Sequence, residues 1–347
     1  MNEAVSPGTR RLVLAGDVGG TKTLLQVAEV AEGAHGLAPV REQRFENAAY
    51  DSLAAIVSTF LAAGALPGRV VAACFAVAGP VSGTHVKLTN LPWEIDAAVL
   101  AENCGIPDVR LVNDFEAVGH GVDGLGPDDL VCLQGGRADA HGHRVVLGAG
   151  TGLGVCFLIR NESAYQVVPT EAGHADFGPV GEPQVGLLRF LQEEFGTVSY
   201  ERLLSGPGLV NIYRYLMSLV HEKPRAGADV LARPDPAAAI AEGALNHSNV
   251  QAAWALDLFS EIYGAQAGNL ALTLMARGGV YIAGGIAPKI LPKLQEGAFM
   301  RAFRNKGRFG ALMHSFPVHV IRNERVGLIG AGRVAAQAIA ASRPSGT

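Results

Sequence analysis

One arrangement constrains this chain more than any other because it occurs twice: an apolar run, a glycine-rich turn, then a second apolar run with alternating pattern. The first copy runs Arg11–Ala15, then Gly16-Asp17-Val18-Gly19-Gly20-Thr21, then Lys22–Val30. The second runs Arg144–Leu147, then Gly148-Ala149-Gly150-Thr151-Gly152, then Leu153–Arg160. Each reads as strand, tight turn, strand. After each copy, short buried-type runs alternate with stretches of helical spacing. Val70–Ala78 and Gly279–Ala283 are continuous apolar runs suited to strands covered on both faces. Leu53, Ile56, Val57 and Phe60 share one face of a helix. Helices are also expected over Ile95–Cys104, Phe115–His120, Val185–Phe195, Tyr200–Leu219, Pro236–Leu245, Val250–Ala276 and Gly327–Ala341. Strands are expected over Arg41–Asn47, Val109–Val112 and Val318–Arg322. The class is α/β, in two similar halves with a cleft between them. The expected division is a small domain, 1–124 with 322–347, and a large domain, 125–321.

Bulk properties exclude several function classes. The 347 residues suffice for two domains at roughly 100–200 residues each. A hydrophobic fraction of 49% against 17% charged supports packed cores rather than disorder. The net charge of −4 argues against a nucleic-acid partner, which needs a clustered basic face. Cys74, Cys104, Cys132 and Cys156 are scattered, with no C-x-x-C pair to suggest a zinc site or a disulfide framework. No uninterrupted apolar run approaches the roughly 20 residues of a membrane helix. The first residues lack the apolar segment of a signal peptide. The expectation is a cytoplasmic protein with no membrane partner.

The two turns carry the first chemical signal. Backbone N–H groups at Gly19 and Gly20, unobstructed by side chains, can cradle phosphate oxygens, and Thr21 adds a hydroxyl. Asp17 repels phosphate, so its expected task is to hold Mg²⁺, through water. The alternative is an ordinary hairpin turn. Gly150 to Gly154 repeats the same chemistry, and the recurrence favours phosphate. A third turn, Ala283-Gly284-Gly285-Ile286, would let a nucleoside approach the backbone. No G-x-x-x-x-G-K-[ST] is present. Gly330-Ala331-Gly332 superficially fits a dinucleotide fingerprint but leaves no room for a following βαβ unit. Asn113-Asp114 stands where a strand meets a helix, a usual place for ligand groups. Either residue could instead cap that helix. Glu171 and His174 lie three apart beside Gly173; Glu201, in a helix-like stretch, reads as surface in isolation.

Taken together these segments resemble the bacterial glucokinase family of the actin–hexokinase superfamily, related to the ROK sugar kinases. The matching residues are Gly16 to Thr21, Thr89-Asn90 with Trp93, Asn113-Asp114-Phe115, Gly148 to Gly154, Glu171-Ala172-Gly173-His174, Glu201-Arg202, Ser205 to Asn211, Ile282 to Ile286 and Lys306 to Phe309. They run in family order along nearly the whole chain. The first loop continues Lys22-Thr23, a pairing closer to the ROK group, whose cysteine-rich zinc motif has no counterpart after His174. The resemblance implies two ribonuclease-H-like domains and ATP-dependent, Mg²⁺-assisted phosphorylation of glucose at its 6-hydroxyl. It makes Asp114 the general base, and Asn90, Asn113, Asp114, Glu171, His174 and Glu201 the sugar-binding set. It assigns Gly16, Asp17, Val18, Gly19, Gly20, Thr21, Thr151, Gly152, Gly284 and Gly285 to the nucleotide. A homodimer is implied as well. The alternatives are a kinase for another hexose or amino sugar, and a non-catalytic sugar-sensing regulator. An intact Asp114 and the absence of a helix-turn-helix stretch before Asp17 count against the regulator.

Overall fold

The computed structural model describes residues 10–30, 36–79, 81–88, 91–162, 164–220 and 230–341. The chain divides into two compact units, 1–126 with 325–347, and 127–324.

The first unit opens with β1 (Arg10–Val18), β2 (Lys22–Val30) and β3 (Leu37–Glu46), then α1 (Leu53–Ala62) and β4 (Gly68–Val77). A small hairpin, β5 (His85–Lys87) with β6 (Glu94–Asp96), leads into α2 (Ala97–Cys104), β7 (Asp108–Asn113) and α3 (Asp114–Gly121). The sheet order is β3-β2-β1-β4-β7, antiparallel among the first three strands and parallel from β1 through β4 to β7. Strand alternation sends Leu12, Leu14 and Phe75 to one face, where they join Ile56, Val57 and Phe60 of α1. Val13, Ala15, Cys74 and Ala76 point to the other face. Both faces are covered, which is why β1 and β4 read as unbroken apolar runs.

The second unit repeats the plan. Its strands are β8 (Leu130–Gln134), β9 (Arg144–Ala149), β10 (Leu153–Arg160) and β11 (Tyr165–Thr170). Helices α4 (Glu182–Phe195), α5 (Gly206–Ser218), α6 (Pro236–Leu245) and α7 (Val250–Leu274) follow. Then come β12 (Gly279–Ala283), α8 (Leu291–Gln295), α9 (Ala298–Arg304), α10 (Gly310–Met313) and β13 (Val318–Ile321). The order β11-β10-β9-β12-β13 matches the first unit strand for strand, and β8 adds an antiparallel edge beside β13. Helix α7 is buried along most of its length. Its Tyr263 packs edge-on to Phe259 and Phe299, and Gly264 lets α9 approach until a Cβ there would lie 2.0 Å from the Phe299 carbonyl.

The last helix, α11 (Val326–Ala341), belongs to the first unit and supplies Ala331 and Ala335 to the face of Val13 and Cys74. Gly330 belongs to this packing and not to a dinucleotide turn: a Cβ there would sit 1.8 Å from the Ala117 carbonyl of α3. Beside this crossing lies His120, whose side chain is 18% exposed. Burial and the nearby Arg333 cation push its pKa down to about 4, and Asp123 opposes them. Glu116 approaches only to 4.0 Å, too far for a hydrogen bond. Folded His120 is therefore neutral where unfolded histidine charges. Stability contributed by this group is complete above pH ~6.5 and is lost as pH falls toward ~4, by about 2–3 kcal/mol. Denaturant unfolding of His120→Gln should show a shallower decline over that window than the wild type. Identical slopes would remove His120 as the cause.

Three sequence expectations are corrected here. Gly16, Asp17 and Val18 are not turn residues. Strand β1 continues through Val18, and the turn is only Gly19 to Thr21. The second turn likewise shortens, because β9 runs to Ala149. The expected helix over Tyr200–Leu219 is two pieces, a 3₁₀ turn at Tyr200–Arg202 and then α5. The break comes from Ser205, whose hydroxyl accepts from Gly208 N as the N-cap, with Pro207 in the first turn.

Candidate active site

In the first unit, register alone brings the candidate residues together. Val18 at the end of β1 lies beside Val77 of β4, which lies beside Asn113 of β7. The first turn and the start of α3 thus emerge from neighbouring carboxyl ends of parallel strands, where open α/β sheets place their ligands. The turn itself is braced. Gly19 N donates to Lys22 O at 2.9 Å, and Asn47 N donates to Thr21 O at 2.9 Å. The Asn47 side chain is 1% exposed; its Nδ2 donates to Gly19 O at 2.8 Å, and its Oδ1 accepts from Thr23 Oγ1 at 2.7 Å. Asn47 was not anticipated from sequence. It ends a polar stretch, directly after Glu46 of the edge strand, and nothing in its spacing marks it. Lys22 turns outward to Glu46 at 3.4 Å, so the Lys22-Thr23 pairing supports the turn from behind.

The question of which residue caps α3 has a definite answer. Asn113 is the N-cap: its Oδ1 accepts from Phe115 N at 2.9 Å and Glu116 N at 3.3 Å, and its Nδ2 donates to Gly79 O at 3.0 Å. Asp114 is the first helical residue and is exposed, with Oδ1 accepting from Phe115 N at 2.8 Å. Burial holds the Asp17 carboxyl above the usual carboxylate range, and the Asp114 charge adds to the rise. A buried acid whose ionisation a neighbouring carboxylate opposes gains from a cation, and the two sets of oxygens suit a hard divalent one. Magnesium, with its preference for one or two carboxylates plus water, fits. No cluster of three metal-ligating side chains occurs among the described residues. Asn90 lies outside the described residues.

In the second unit the other candidates converge on β9, β10 and β12. Gly150 N donates to Gly152 O at 2.8 Å, and Gly206 N donates to Gly150 O at 2.8 Å, tying the second turn to α5. Thr151 is exposed on this turn. Gly284 has φ +81°, and a Cβ there would lie 2.4 Å from the Ala149 carbonyl. Ile286 N donates to that same carbonyl at 3.2 Å. The Gly284-Gly285 turn is thereby laid against the end of β9, and at Gly285 a Cβ would meet open space. Tyr263, also unanticipated, anchors this corner by accepting from Ala149 N at 3.1 Å.

Glu171, His174 and Glu201 form one group. Gly173 packs so closely on β10 that a Cβ would lie 2.1 Å from Leu153 O, which holds the 3₁₀ turn Ala172–His174 in place. The His174 ring stands between two carboxylates, Nε2 3.8 Å from Glu171 Oε2 and Nδ1 3.8 Å from Glu201 Oε1. Glu201 Oε2 also accepts from Leu153 N at 3.0 Å. Exposure falls from 78% at Glu171 to 59% at His174 and 32% at Glu201. The group is an open shelf of acceptors with one imidazole, chemistry suited to several hydroxyls on one small molecule.

The model of the glucokinase family matches residues 14–338. A glucokinase from Nostoc sp. is 43% identical, over 94% of this chain and 99% of its own length. Among solved structures, a glucokinase from an Antarctic psychrotroph superposes with a TM-score of 0.83 at 28% identity, covering 94% of this chain and 99% of its own. A ROK family glucokinase from Streptomyces griseus, in complex with glucose and AMPPNP, shares the fold at a TM-score of 0.60 and 20% identity, covering 94% and 99%. The strand order of both units, the two glycine turns and the full-length family match lead to one conclusion: this chain belongs to the glucokinase family.

Proposed function

We propose that the chain transfers the γ-phosphoryl group of ATP to the 6-hydroxyl of glucose, giving glucose 6-phosphate and ADP. The observation that carries this is the division of labour at the start of α3. Asn113 supplies the cap, so Asp114 is not needed for it and serves as the base that takes the proton of the 6-hydroxyl. Family membership along the whole chain supports the same reaction.

The remaining roles follow from what each residue touches. Gly20 and Thr21 present N–H groups and a hydroxyl to phosphate, in a turn that Gly19 closes by donating its own N–H to Lys22 O and that Asn47 braces. Thr151 and Gly152 do so on the second turn, and Gly284 and Gly285 line the nucleoside side. Glu171, His174 and Glu201 read sugar hydroxyls, joined by Asn113 and Asn90. Asp17 would hold Mg²⁺ through water. When bound, the ion offsets negative charge on the phosphates. Transfer itself depends on alignment, which can supply roughly 7–11 kcal/mol.

None of the four cysteines is in a disulfide, and Cys74 and Cys156 are fully buried, which suits a reducing cytoplasm. No helix among the described residues is long and apolar enough to cross a membrane. We assign the chain to the cytoplasm, as a homodimer that sedimentation would reveal. An ADP-coupled assay with Mg²⁺-ATP and a panel of hexoses and amino sugars should give glucose the highest kcat/KM, with little ADP released when sugar is absent. Higher kcat/KM for another sugar would transfer the assignment to that sugar. Failure to phosphorylate any of them would favour the non-catalytic regulator.

A further inference from the structure

The second unit holds a cavity of about 310 Å³ that none of the assigned roles uses. It opens beside the start of α4, along α7, and at α9 and the residues just after it. Its polar lining is Gln184, Glu261, Arg301, Asn305 and Lys306. We propose that this cavity is a second ligand site, for a small phosphate monoester bearing hydroxyl groups, and that it is connected by hydrogen bonds to Glu201.

The case for an anion begins with Lys306. Its Nζ donates to Ala265 O at 2.9 Å and to Asn269 Oδ1 at 2.7 Å, and both acceptors are neutral. Among the described residues no carboxylate is paired with it, although an ammonium has three protons to give. Burial draws its pKa below the usual lysine value. A half-buried cation without a counter-ion is costly, and an anion entering the cavity would supply one. The fold makes room for this lysine deliberately. Gly268 has no side chain where a Cβ would lie 2.7 Å from Lys306 Cε. Arg301, exposed on α9, adds a second cation with the planar donors that suit phosphate.

The rest of the lining suits hydroxyl groups. Glu261 offers a carboxylate acceptor. Gln184 is 5% exposed and spends its Oε1 on Val180 N at 2.9 Å, so its amide has N–H groups to give. Asn305 can donate and accept. The volume is at the small end of ligand pockets and matches a molecule of hexose-phosphate size.

A chain of hydrogen bonds leads from this cavity toward the sugar acceptors. Lys306 Nζ donates to Asn269 Oδ1, and Asn269 Nδ2 donates to the Tyr200 hydroxyl at 3.1 Å. Tyr200 is 5% exposed and immediately precedes Glu201 in the same 3₁₀ turn. A phosphate that draws Lys306 toward itself loosens its hold on Asn269 and, through Tyr200, shifts the turn that positions Glu201. This coupling rests on reading Glu201 as a sugar contact; the binding site does not.

Calorimetric titration of the full chain, with glucose saturating, tests the site with three probes: fructose 6-phosphate, fructose and inorganic phosphate. Fructose 6-phosphate should bind at least tenfold more tightly than either of the others, and Arg301→Gln should weaken it by tenfold or more. In the steady state, saturating fructose 6-phosphate should change the KM for glucose by about fivefold or more in the wild type, and not in Arg301→Gln. Lys306→Met should abolish binding; if that variant does not fold, Arg301→Gln carries the test. No binding at about 10 mM, binding unaffected by Arg301→Gln, or inorganic phosphate binding as tightly as the ester would each overturn the site. Binding without a change in KM would overturn the connection to Glu201. Because the titration needs no turnover, a chain inactive toward glucose would refute the proposed reaction while still reporting on this site.

Discussion

Replacing Asp114 with Ala or Asn should lower kcat for glucose phosphorylation by about 10²–10⁴-fold, the usual range for removing a general base. The fold should survive. The cap of α3 belongs to Asn113, which accepts from Phe115 N and Glu116 N and anchors itself to Gly79 O. Asp114 stabilises the helix as an acid in its first turn, worth about 0.3–1 kcal/mol at an exposed position, and shares Phe115 N with the Asn113 cap, so its loss leaves that donor still bonded. Thermal midpoints of the variants should therefore stay within a few degrees of the wild type. Asn113→Ala gives the complementary pattern: it removes a cap worth about 1 kcal/mol and leaves Gly79 O without its donor, so it should lower stability more than either Asp114 variant. Single-turnover rates with saturating glucose and ATP separate chemistry from product release. A kcat for Asp114→Ala within threefold of wild type would remove this carboxylate from proton transfer.

How much of this was legible beforehand depended on how strongly local sequence and tertiary environment agreed. Strands β2 and β12 and helix α6 begin and end where the apolar pattern and cap residues put them, because they are bounded by turn or cap chemistry: Asp235 and Pro236 start α6, and Gly279 starts β12. The glycine turns were recognisable as a repeated pattern. Their length was overread, because Gly16 looks like a turn residue and is in fact a strand residue. Phe75 on β4 occupies the space its side chain would need, at 2.4 Å from a Cβ. Only the tertiary partner distinguishes a glycine kept for packing from one kept for a turn.

The omissions have the same origin. Strand β11 is an edge, half-exposed and interrupted by Pro169, which is tolerated there because an edge strand has one unpaired side. Its sequence lacks the continuous apolar signature of a central strand. The short helices α8 to α10 are too brief for periodicity to speak. Asn47 and Tyr263 brace the two turns from other elements, 28 residues from Gly19 and 114 from Ala149, and contact at that separation leaves no local trace. Lys306 was noticed only as part of the segment Lys306 to Phe309, and its link to Asn269, 37 residues away, was invisible for the same reason.

Glu201 shows the largest gap between its appearance in sequence and its place in the fold, and it supports the second strong expectation. Read locally it is a surface acid on a helix. In the folded chain it is the best-anchored of the three residues proposed to contact the sugar. Oε2 accepts from Leu153 N at 3.0 Å, a Cβ at Gly152 would lie 2.5 Å from that oxygen, and Ser205 Oγ donates to the Glu201 carbonyl at 2.8 Å. Glu201→Ala removes a charged acceptor from the sugar, worth about 1.5–3 kcal/mol, and strips His174 of its less exposed carboxylate neighbour. We expect kcat/KM for glucose to fall roughly 10²-fold, mostly through KM. It also leaves Leu153 N unpaired, at a stability cost of about 1–3 kcal/mol. Glu201→Gln can still accept from Leu153 N, so it should recover most of the stability and little of the affinity. Glu171→Ala, at a side chain 78% exposed, should cost less than tenfold. Glucose titrations of the three variants decide the ordering. A KM for Glu201→Ala within twofold of wild type, or a greater loss in Glu171→Ala than in Glu201→Ala, would mean that the sugar is read from the exposed end of the shelf and that Glu201 only fastens the second glycine turn.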